Sequence, residues 1–394
     1  MKDVLDAKLT LFFSGGVGLE VWKANGGLQR ELALYKRLSH KLGKVSLLTY
    51  GGRADRSFRG ELGDVALAAS SWIHRPHRLS NYLAPLNFLL AILNCNDTLS
   101  QTDIIKTNQI SGSDIAVMAK RFYHKKLFVR CGYVASRLAH IAVRHGLGMA
   151  NLGSLKNISA NERKAFKNAD IISVPTPSDR DWIVERYDVS ADKIRVIPNY
   201  VETDRFIAMP EVRKKYDLVF MGRNSAEKNI AGLLEALAML NKSMDLSILF
   251  IGSCGRSKEV SAALKDGVIK GAAIGNVESA QLPKILAEAK IFIISSFYEG
   301  NSKALLEAMS CGMPCIGTDV DSINTVITHR KNGYLCPTDG EGIADAISAV
   351  LKDPRLQEDM GRQARRYVSE RFDLDKVLEM EMEAIGHLCR ENAS

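Results

Sequence analysis

Two glutamates spaced eight positions apart are the residues of this sequence best placed to do chemistry. Glu299 and Glu307 lie in the segment IFIISSFYEGNSKALLEAMS, where an apolar run over residues 291–294 precedes the first glutamate. This run predicts a buried parallel strand, and residues 303–310 predict the helix that follows it. The amino terminus of such a helix attracts anions. We therefore expect a site that holds a phosphate while a carboxylate reaches the group attached to it.

Two basic residues, Arg223 and Lys228, lie in a loop between a predicted strand over residues 217–222 and a predicted helix over residues 230–240. A diphosphate in this loop would meet a guanidinium fork, an ammonium and a helix terminus. The alternative is a solvated loop with two ordinary basic side chains. Together with the paired glutamates, the loop favours a phosphate site.

Apolar runs alternate with helical patterns along nearly the whole chain, which is typical of α/β architecture. Strands are predicted over residues 9–13, 45–49, 103–106, 127–130, 171–174, 194–197, 217–222, 246–251, 268–270, 291–294 and 314–317. The main predicted helices cover residues 28–42, 230–240, 280–289, 303–310, 341–351, 354–371 and 374–388.

This order of elements predicts two Rossmann-like, doubly wound domains facing across a cleft, where the strand ends of such sheets bind ligands. We expect an N-terminal domain over residues 1–205 and a C-terminal domain over residues 206–373. A final helix, within residues 374–394, could pack back on the first domain.

The composition is that of a soluble globular protein, with 46% apolar and 25% charged residues among 394. The most apolar window, residues 82–93, is shorter than the roughly 20 residues that cross a bilayer. Seven cysteines without a CxxC pair suggest reduced thiols and no metal site. We therefore expect a cytoplasmic protein.

The charge is divided unevenly along the chain. Residues 1–199 hold 29 Lys or Arg and 17 Asp or Glu, a net charge of +12, and the remainder has a net charge of −4. The basic half could contact the inner face of an anionic membrane or an acidic acceptor, and an ordinary solvated surface is an equal alternative.

The window over residues 82–93 could lie on a membrane or form a core helix. The basic residues are scattered and match no nucleic-acid motif, so we expect no nucleic-acid partner.

The sequence resembles the retaining nucleotide-sugar glycosyltransferases of family 4 (group 1), which have the two-domain GT-B fold. The resemblance extends from about Gly26 to the carboxyl terminus. It rests on Arg223 and Lys228 after a strand, the pair Glu299 and Glu307, AMSCGMP over residues 308–314, and NGYL over residues 332–335. It implies sugar transfer from a nucleoside diphosphate to a hydroxyl of a glycan or lipid-linked acceptor, with no metal or other cofactor.

The resemblance also implies roles for individual residues. Arg223 and Lys228 would bind the donor diphosphate and stabilise its charge as it leaves, and Glu299 would contact the donor sugar; these three are the expected catalytic residues. The ribose hydroxyls would contact Glu307. The remaining donor-binding residues would be Gly26 and Gly27 near the diphosphate, Val277 near the base, and the backbone of Gly300, Asn301, Ser302 and Lys303. A plain turn at the start of a helix is the alternative for the two glycines.

Two departures from the family pattern bear on specificity. Many members have Glu-Gly-Phe-Gly where this chain has Glu299, Gly300, Asn301 and Ser302, a variant familiar in bacterial surface-polysaccharide enzymes. We therefore expect a role in surface polysaccharide or lipopolysaccharide assembly.

Many members also carry a histidine near the acceptor. This chain has Arg130 and Tyr133 in that region, which could contact the acceptor or the donor, or form an ordinary surface and packing pair. The alternative functions are a sugar-nucleotide epimerase, a phosphorylase, or a non-catalytic sugar-nucleotide-binding protein.

Overall fold

The computed structural model describes residues 3–70, 80–146 and 154–390, and these form two parallel sheets. Arg75 and Arg78, which precede the apolar window, lie outside the described residues. Among the helices of the described ranges, none combines the length and the apolarity that crossing a membrane requires.

The first sheet has seven strands in the order β3-β2-β1-β4-β5-β6-β7. Its strands are β1 (Lys8–Phe12), β2 (Lys44–Thr49), β3 (Ala66–Ala69), β4 (Ile104–Thr107), β5 (Lys126–Arg130), β6 (Ile171–Val174) and β7 (Ile194–Val196). The helices between them along the chain are α1 (Leu19–Ala24), α2 (Leu28–Ser39), α3 (Arg59–Leu62), α4 (Ser80–Asn94), α5 (Asn96–Leu99), α6 (Ser113–Tyr123), α7 (Ala135–Arg144), α8 (Leu155–Asn168) and α9 (Pro177–Tyr187).

The second sheet has six strands in the order β10-β9-β8-β11-β12-β13. Its strands are β8 (Tyr216–Met221), β9 (Ser247–Ile251), β10 (Lys270–Ile274), β11 (Ala289–Ile294), β12 (Cys315–Thr318) and β13 (Tyr334–Cys336). The accompanying helices are α10 (Ile230–Leu240), α11 (Lys258–Lys265), α12 (Leu282–Ala287), α13 (Lys303–Ser310), α14 (Gly340–Leu351), α15 (Pro354–Arg371) and α16 (Leu374–Arg390).

The second sheet is covered on both faces, because successive side chains of each strand enter different cores. In β8, Leu218 and Phe220 belong to one hydrophobic cluster, which includes residues of α10 and α14. Val219 belongs to another, which includes residues of α13 and α15. The period of two in a strand produces this alternation, and burial of both faces explains the continuous apolar runs. The predicted pair of doubly wound, Rossmann-like sheets is confirmed.

Two strands of the structure, β3 and β13, were not predicted, and a third was misplaced. β3 was not predicted because its sequence, ALAA, is poor in β-branched and aromatic residues. β13 has only three residues, YLC, so its apolar run is too short to be distinguished from a loop. The strand predicted over residues 268–270 was misplaced: β10 begins at Lys270 and lies at the edge of the sheet, where exposed glycine and alanine give no apolar signal.

The chain divides into two compact units. The first comprises Met1–Ser136, Leu152–Ile197 and Leu378–Ser394, and the second comprises Arg137–Asn151 and Pro198–Val377. The larger part of α16 therefore belongs to the unit that contains the seven-stranded sheet.

Candidate functional site

The six-stranded sheet has a topological switch point between β8 and β11. These two strands are neighbours, and the chain proceeds from β8 to β9 and β10 on one side and from β11 to β12 and β13 on the other. Loops at the carboxyl ends of such strands diverge and leave a crevice in which ligands bind. The loop after β8 carries Arg223 and Lys228, and the loop after β11 carries Glu299.

Lys228 and Glu299 are in direct contact at this point. The ammonium Nζ lies 2.5 Å from the carboxylate Oε1, and each side chain is 11% exposed. Ser296 Oγ donates to the same carboxylate oxygen at 2.7 Å, while the Glu299 N–H donates to Ser322 Oγ at 2.9 Å. These bonds fix both the backbone and the carboxylate of Glu299.

The backbone around Lys228 is held by a tight turn and its neighbours. Asn229 adopts a left-handed conformation, with φ at 51°, and its side chain caps α10. Asn229 Nδ2 also donates to the carbonyl oxygen of Thr338 at 2.7 Å. The Ser295 hydroxyl, at the end of β11, donates to the Lys228 carbonyl oxygen at 2.9 Å. The lysine is therefore anchored to the strand that leads to Glu299.

Arg223 has a different environment from Lys228. Its side chain is 80% exposed, and its guanidinium lies 3.5 Å from Glu227 Oε1. Gly252 packs closely against the start of the Arg223 loop. Its φ is 100°, and a Cβ at position 252 would lie only 2.5 Å from the carbonyl oxygen of Gly222. The structure thus brings Lys228 and Glu299 together, whereas the Arg223 side chain, on the same loop as Lys228, stays accessible from solvent.

The loop between Glu299 and α13 is tied to the start of the second unit. The Asn199 N–H donates to Asn301 Oδ1 at 2.9 Å, and Asn199 Nδ2 donates to the Asn301 carbonyl oxygen at 2.5 Å. Ser302 caps α13, and the Lys303 ammonium lies 5.4 Å from the centre of the Tyr200 ring. Asn301 is only 5% exposed, so its side chain orders the loop.

Glu307 is buried within α13, at 1% exposure. Burial, together with the Glu307 charge one turn away, raises the pKa of the Cys311 thiol to about 12. Val277 is half-buried in the loop after β10 and packs against the core. The predicted contacts of Glu307 with ribose and of Val277 with the base stay predictions.

Gly26 and Gly27 form the turn that begins α2. Gly26 has a φ of 68°, a conformation that favours glycine, and Gly27 is the N-cap of the helix. A Cβ at Gly27 would meet other atoms only at ordinary contact distances of 3.7 Å. Their predicted approach to the diphosphate stays a prediction.

Sequence reasoning missed four residues that shape the site: Asn199, Ser295, Ser296 and Ser322. The two serines after β11 carry a readable signal, because polar residues at the carboxyl end of a buried strand often line a site. Ser322 is 23 residues beyond Glu299 and Asn199 is 102 residues before Asn301. No local pattern could have connected these partners.

The first unit contains a cavity of about 390 Å³ at the carboxyl ends of β1, β4 and β5. Gly112, with a φ of 87°, brings the loop after β4 close to the loop after β1, since a Cβ there would lie 2.5 Å from Gly15 N. The walls combine apolar groups with acids and amides. The lining residues are Gly15, Phe88, Gln109, Ile110, Ser111, Gly112, Asp114, Ile115, Tyr133, Ala135, Ile158, Asn161 and Glu162.

Glu162 forms a rigid part of this cavity wall. Its Oε1 accepts from the Ser136 N–H at 3.0 Å, and its Oε2 accepts from the Tyr187 hydroxyl. Burial and the hydrogen bond to Glu162 raise the pKa of Tyr187 to about 12. The carboxylate is therefore held as an acceptor beside the cavity.

Of the two candidate contacts in this region, Tyr133 lines the cavity and is 45% exposed. Arg130 does not line it; it ends β5 half-buried, where its charge acts on Tyr35 and Lys106. In the described ranges, no group of three or more His, Cys, Asp or Glu residues is arranged to hold a metal ion.

Two family models match consecutive parts of this chain. Residues 26–205 match the model described as Glycosyltransferase Family 4, and residues 203–367 match the model described as Glycosyl transferases group 1. The matched regions include the switch point of the second sheet and all three predicted catalytic residues.

Three proteins illustrate the range of relatives. N-acetyl-alpha-D-glucosaminyl L-malate synthase of Bacillus anthracis is 26% identical over 263 residues, which are 63% of this chain and 69% of that protein. The O-antigen chain mannosyltransferase B of Escherichia coli is 29% identical over 213 residues, 50% of this chain and 55% of that protein. HepE of Anabaena, solved in complex with UDP and glucose, is similar in fold, with a TM-score of 0.74 at 16% identity over 97% of this chain and 100% of that one.

Together the two models match residues 26–367, which include every strand of both sheets except β1, and the fold is shared along nearly the full length of a solved relative. This chain therefore belongs to family 4 (group 1) of the retaining nucleotide-sugar glycosyltransferases, which have the GT-B fold.

Proposed function

We propose that this chain transfers a sugar from a UDP-sugar to a hydroxyl of a glycan or lipid-linked acceptor in bacterial surface-polysaccharide or lipopolysaccharide assembly. The observation that carries the proposal is the contact of Lys228 with Glu299 at the switch point of the second sheet. A cation for the diphosphate and a carboxylate for the sugar are adjacent there, and α13 begins four residues after the carboxylate.

The donor would bind with its diphosphate near Lys228, Arg223 and the amino terminus of α13. Because Lys228 is largely buried, its charge is screened less than that of a surface lysine. Arg223 is exposed and can turn its fork toward phosphate oxygens. Glu299 would accept hydrogen bonds from sugar hydroxyls, and Glu307 would bind the ribose.

In the transfer step, the bond from the anomeric carbon to the diphosphate oxygen breaks, and a bond to the acceptor oxygen forms on the same face. The acceptor's proton passes to the departing diphosphate, so a separate general base is not needed. Arg223 and Lys228 stabilise the negative charge that develops on the leaving group, an effect that preorganised cations exert strongly.

The acceptor class is supported by sequence and by the cavity of the first unit. The E. coli relative is an O-antigen mannosyltransferase, and the run Asn301, Ser302, Lys303 resembles surface-polysaccharide enzymes. The cavity offers apolar walls beside Glu162 and Tyr133, a combination suited to sugar rings and their hydroxyls.

A thermal-shift screen tests the donor class first. UDP, GDP, ADP and their sugars are added separately, with UDP first because HepE was solved with UDP and glucose. Saturating UDP should raise the melting temperature by about 5 °C, since a ligand at 100 times its Kd contributes about 2.7 kcal/mol. If no nucleoside diphosphate has an effect, the proposal fails.

Product analysis then tests the reaction. A retaining transferase releases UDP from an α-linked donor and yields an α-linked product, or slow donor hydrolysis when water is the acceptor. Conversion of the donor alone to an isomeric nucleotide sugar would identify an epimerase. Binding with neither hydrolysis nor transfer to any tested glycan or lipid-linked acceptor would identify a binding protein.

A further inference from the structure

The exposed surface of α8 carries positive charge without any exposed acid. Lys156, Arg163, Lys164 and Lys167 are all exposed, while the helix's one acidic residue, Glu162, is 1% exposed. At 100° per residue, the four cations fall within an arc of about 100° on one side of the helix. This arrangement differs from the scattered charges of an ordinary solvated helix.

The positive surface continues beyond α8. Arg121, near the end of α6, donates to Asn168 Oδ1 at 2.9 Å, which joins the two helices at this surface. A depression of about 590 Å³ at the same place is lined mainly by cations. We call the combined surface the basic face; its charged residues are Asp103, Asp114, Lys120, Arg121, Lys125, Lys126, Lys156, Arg163, Lys164, Lys167 and Asp170. Its eight Lys or Arg and three Asp give a net charge of +5.

An exposed apolar side chain lies next to the basic face along α6. The Phe122 ring is 51% exposed and follows Arg121 directly. Along α8, a depression between the cations is lined by Lys156, Arg163, Lys164 and Lys167 together with Ala160, Ser159 and Asn168. Aromatic rings and long basic side chains with buried stems are the groups that the headgroup region of a bilayer accommodates. A soluble polyanion would pair with the charges but would leave the ring exposed.

The basic face adjoins the cavity of the first unit through α8 itself. Ile158, Asn161 and Glu162 line the cavity from this helix. Lys164 of the basic face forms an ion pair with Asp114, which also lines the cavity. The α8 part of the basic face therefore lies beside the cavity, whereas the depression lies at the amino ends of β4, β5 and β6, the opposite edge of the sheet.

We propose that the basic face docks on an anionic lipid bilayer. The attraction is electrostatic, with an aromatic contact at Phe122, and contact through α8 places lipid headgroups beside the cavity that this helix lines. The link to a lipid-linked acceptor rests on the proposed function, whereas the docking itself does not. Each cation near an anionic surface contributes about fivefold to the partition coefficient, and the attraction fades beyond one Debye length.

Vesicle co-sedimentation of the full chain tests the docking. The triple variant Lys156→Glu, Arg163→Glu, Lys167→Glu removes the three exposed cations of α8 and keeps Lys164, which pairs with Asp114. A matched control, Lys258→Glu, Lys265→Glu, Arg355→Glu, makes the same charge change on exposed helix positions of the second unit. Vesicles of phosphatidylcholine are compared with vesicles that also contain phosphatidylglycerol, at low and high salt.

The wild type should bind the phosphatidylglycerol vesicles at low salt, release them at high salt, and ignore neutral vesicles. The α8 variant should lose about 100-fold or more in partition coefficient, and the control should lose far less. Equal losses in both variants, equal binding to neutral vesicles, or no binding by the wild type would each overturn the proposal. Tighter retention on duplex DNA or polyglutamate than on vesicles would assign the face to a soluble polyanion instead.

Two further measurements keep the test decisive. If the triple variant does not fold by circular dichroism, Lys167→Gln alone should still lower the partition coefficient about fivefold. UDP binding should be the same in the α8 variant and the wild type. A chain that binds UDP but no vesicles refutes the docking alone, and a chain that binds vesicles but no nucleotide refutes the proposed donor alone.

Discussion

Lys228 and Glu299 are 71 positions apart in the sequence, yet the ammonium of one lies 2.5 Å from the carboxylate of the other. The contact arises because β8 and β11 are adjacent and parallel, so that their following loops leave the same edge of the sheet. Ser296 and Ser322 restrain the glutamate from two further directions. The pair is therefore positioned by the fold before any substrate arrives, as preorganised electrostatic stabilisation requires.

Replacing Lys228 or Arg223 with alanine should lower kcat by about 100-fold or more, the scale of losing one preorganised contact in the transition state. Steady-state kinetics with the donor identified in the thermal-shift screen measures the effect. Lys242→Ala, an exposed lysine just after α10, serves as the control and should retain full activity. Wild-type turnover in both variants would remove these cations from the mechanism.

Glu307→Gln should chiefly raise the KM for the donor, by about 10-fold or more, because a hydrogen bond to a charged group contributes about 1.5–3 kcal/mol. The substitution conserves shape within the buried part of α13, so the unfolding temperature should change little. Calorimetric titration with UDP checks the binding directly. Glu259→Gln, on the exposed side of α11, is the matched control, and an unchanged KM for Glu307→Gln would exclude the ribose contact.

Asn301→Ala should lower both kcat and donor affinity, because it releases the loop that leads into α13. The lost hydrogen bond to the Asn199 N–H should cost about 1 kcal/mol of unfolding free energy. Asn199→Ala, which removes the second bond between these residues, should act in the same direction. The control is Asn157→Ala, which removes the amide of an exposed side chain on α8. If stability falls while kcat and KM stay normal, Asn301 has a purely structural role.

Lys106 and Glu381 form a buried ion pair at 2.6 Å, with side-chain exposures of 0% and 2%. Glu381→Leu should destabilise the first unit by about 3–5 kcal/mol, because it leaves a charge buried without its partner. The double variant Lys106→Met, Glu381→Leu should recover most of this loss. Guanidinium unfolding measures both, and additive losses in the double variant would contradict the interpretation.

The pair of Lys106 and Glu381 also predicts the direction in which the free energy of unfolding changes with pH. Burial lowers the pKa of Lys106, and Glu381 opposes the shift; without Glu381 the pKa should fall further. Between the lowered value and the ordinary value of about 10.4, the unfolded chain binds more protons than the folded one. The free energy of unfolding of Glu381→Leu should therefore rise with pH across this window, relative to the wild type. A flat difference would show that removing Glu381 does not lower the pKa of Lys106 further.

Local signals were sufficient to predict several helices. The helices over residues 230–240, 303–310 and 354–371 have the limits that the sequence suggests, since Asn229, Ser302 and Asp353 cap their first turns. The edge strand β10 and the alanine-rich β3 gave weak signals, because neither has a buried apolar run.

The chemistry of the site was readable where it follows a strand. Arg223, Lys228 and Glu299 each come after a clear apolar run, so their placement at one sheet edge could be inferred. Their contacts with Ser322 and Thr338, by contrast, join segments distant in the chain and depend on tertiary packing. The exposed orientation of Arg223 also follows from the folded loop and has no signature in the sequence.

The alternation of core residues along β8 constrains how this protein can diversify. Adding or deleting one residue within the strand would send Leu218 and Phe220 toward the helices that now cover Val219, and the side chains of β8 beyond that point would exchange faces of the sheet. Strand lengths are therefore fixed, whereas the segments beyond the carboxyl edge can vary in length and chemistry. Altered sugar preference should be engineered there, by exchanging whole loops between related enzymes while the strands are left intact.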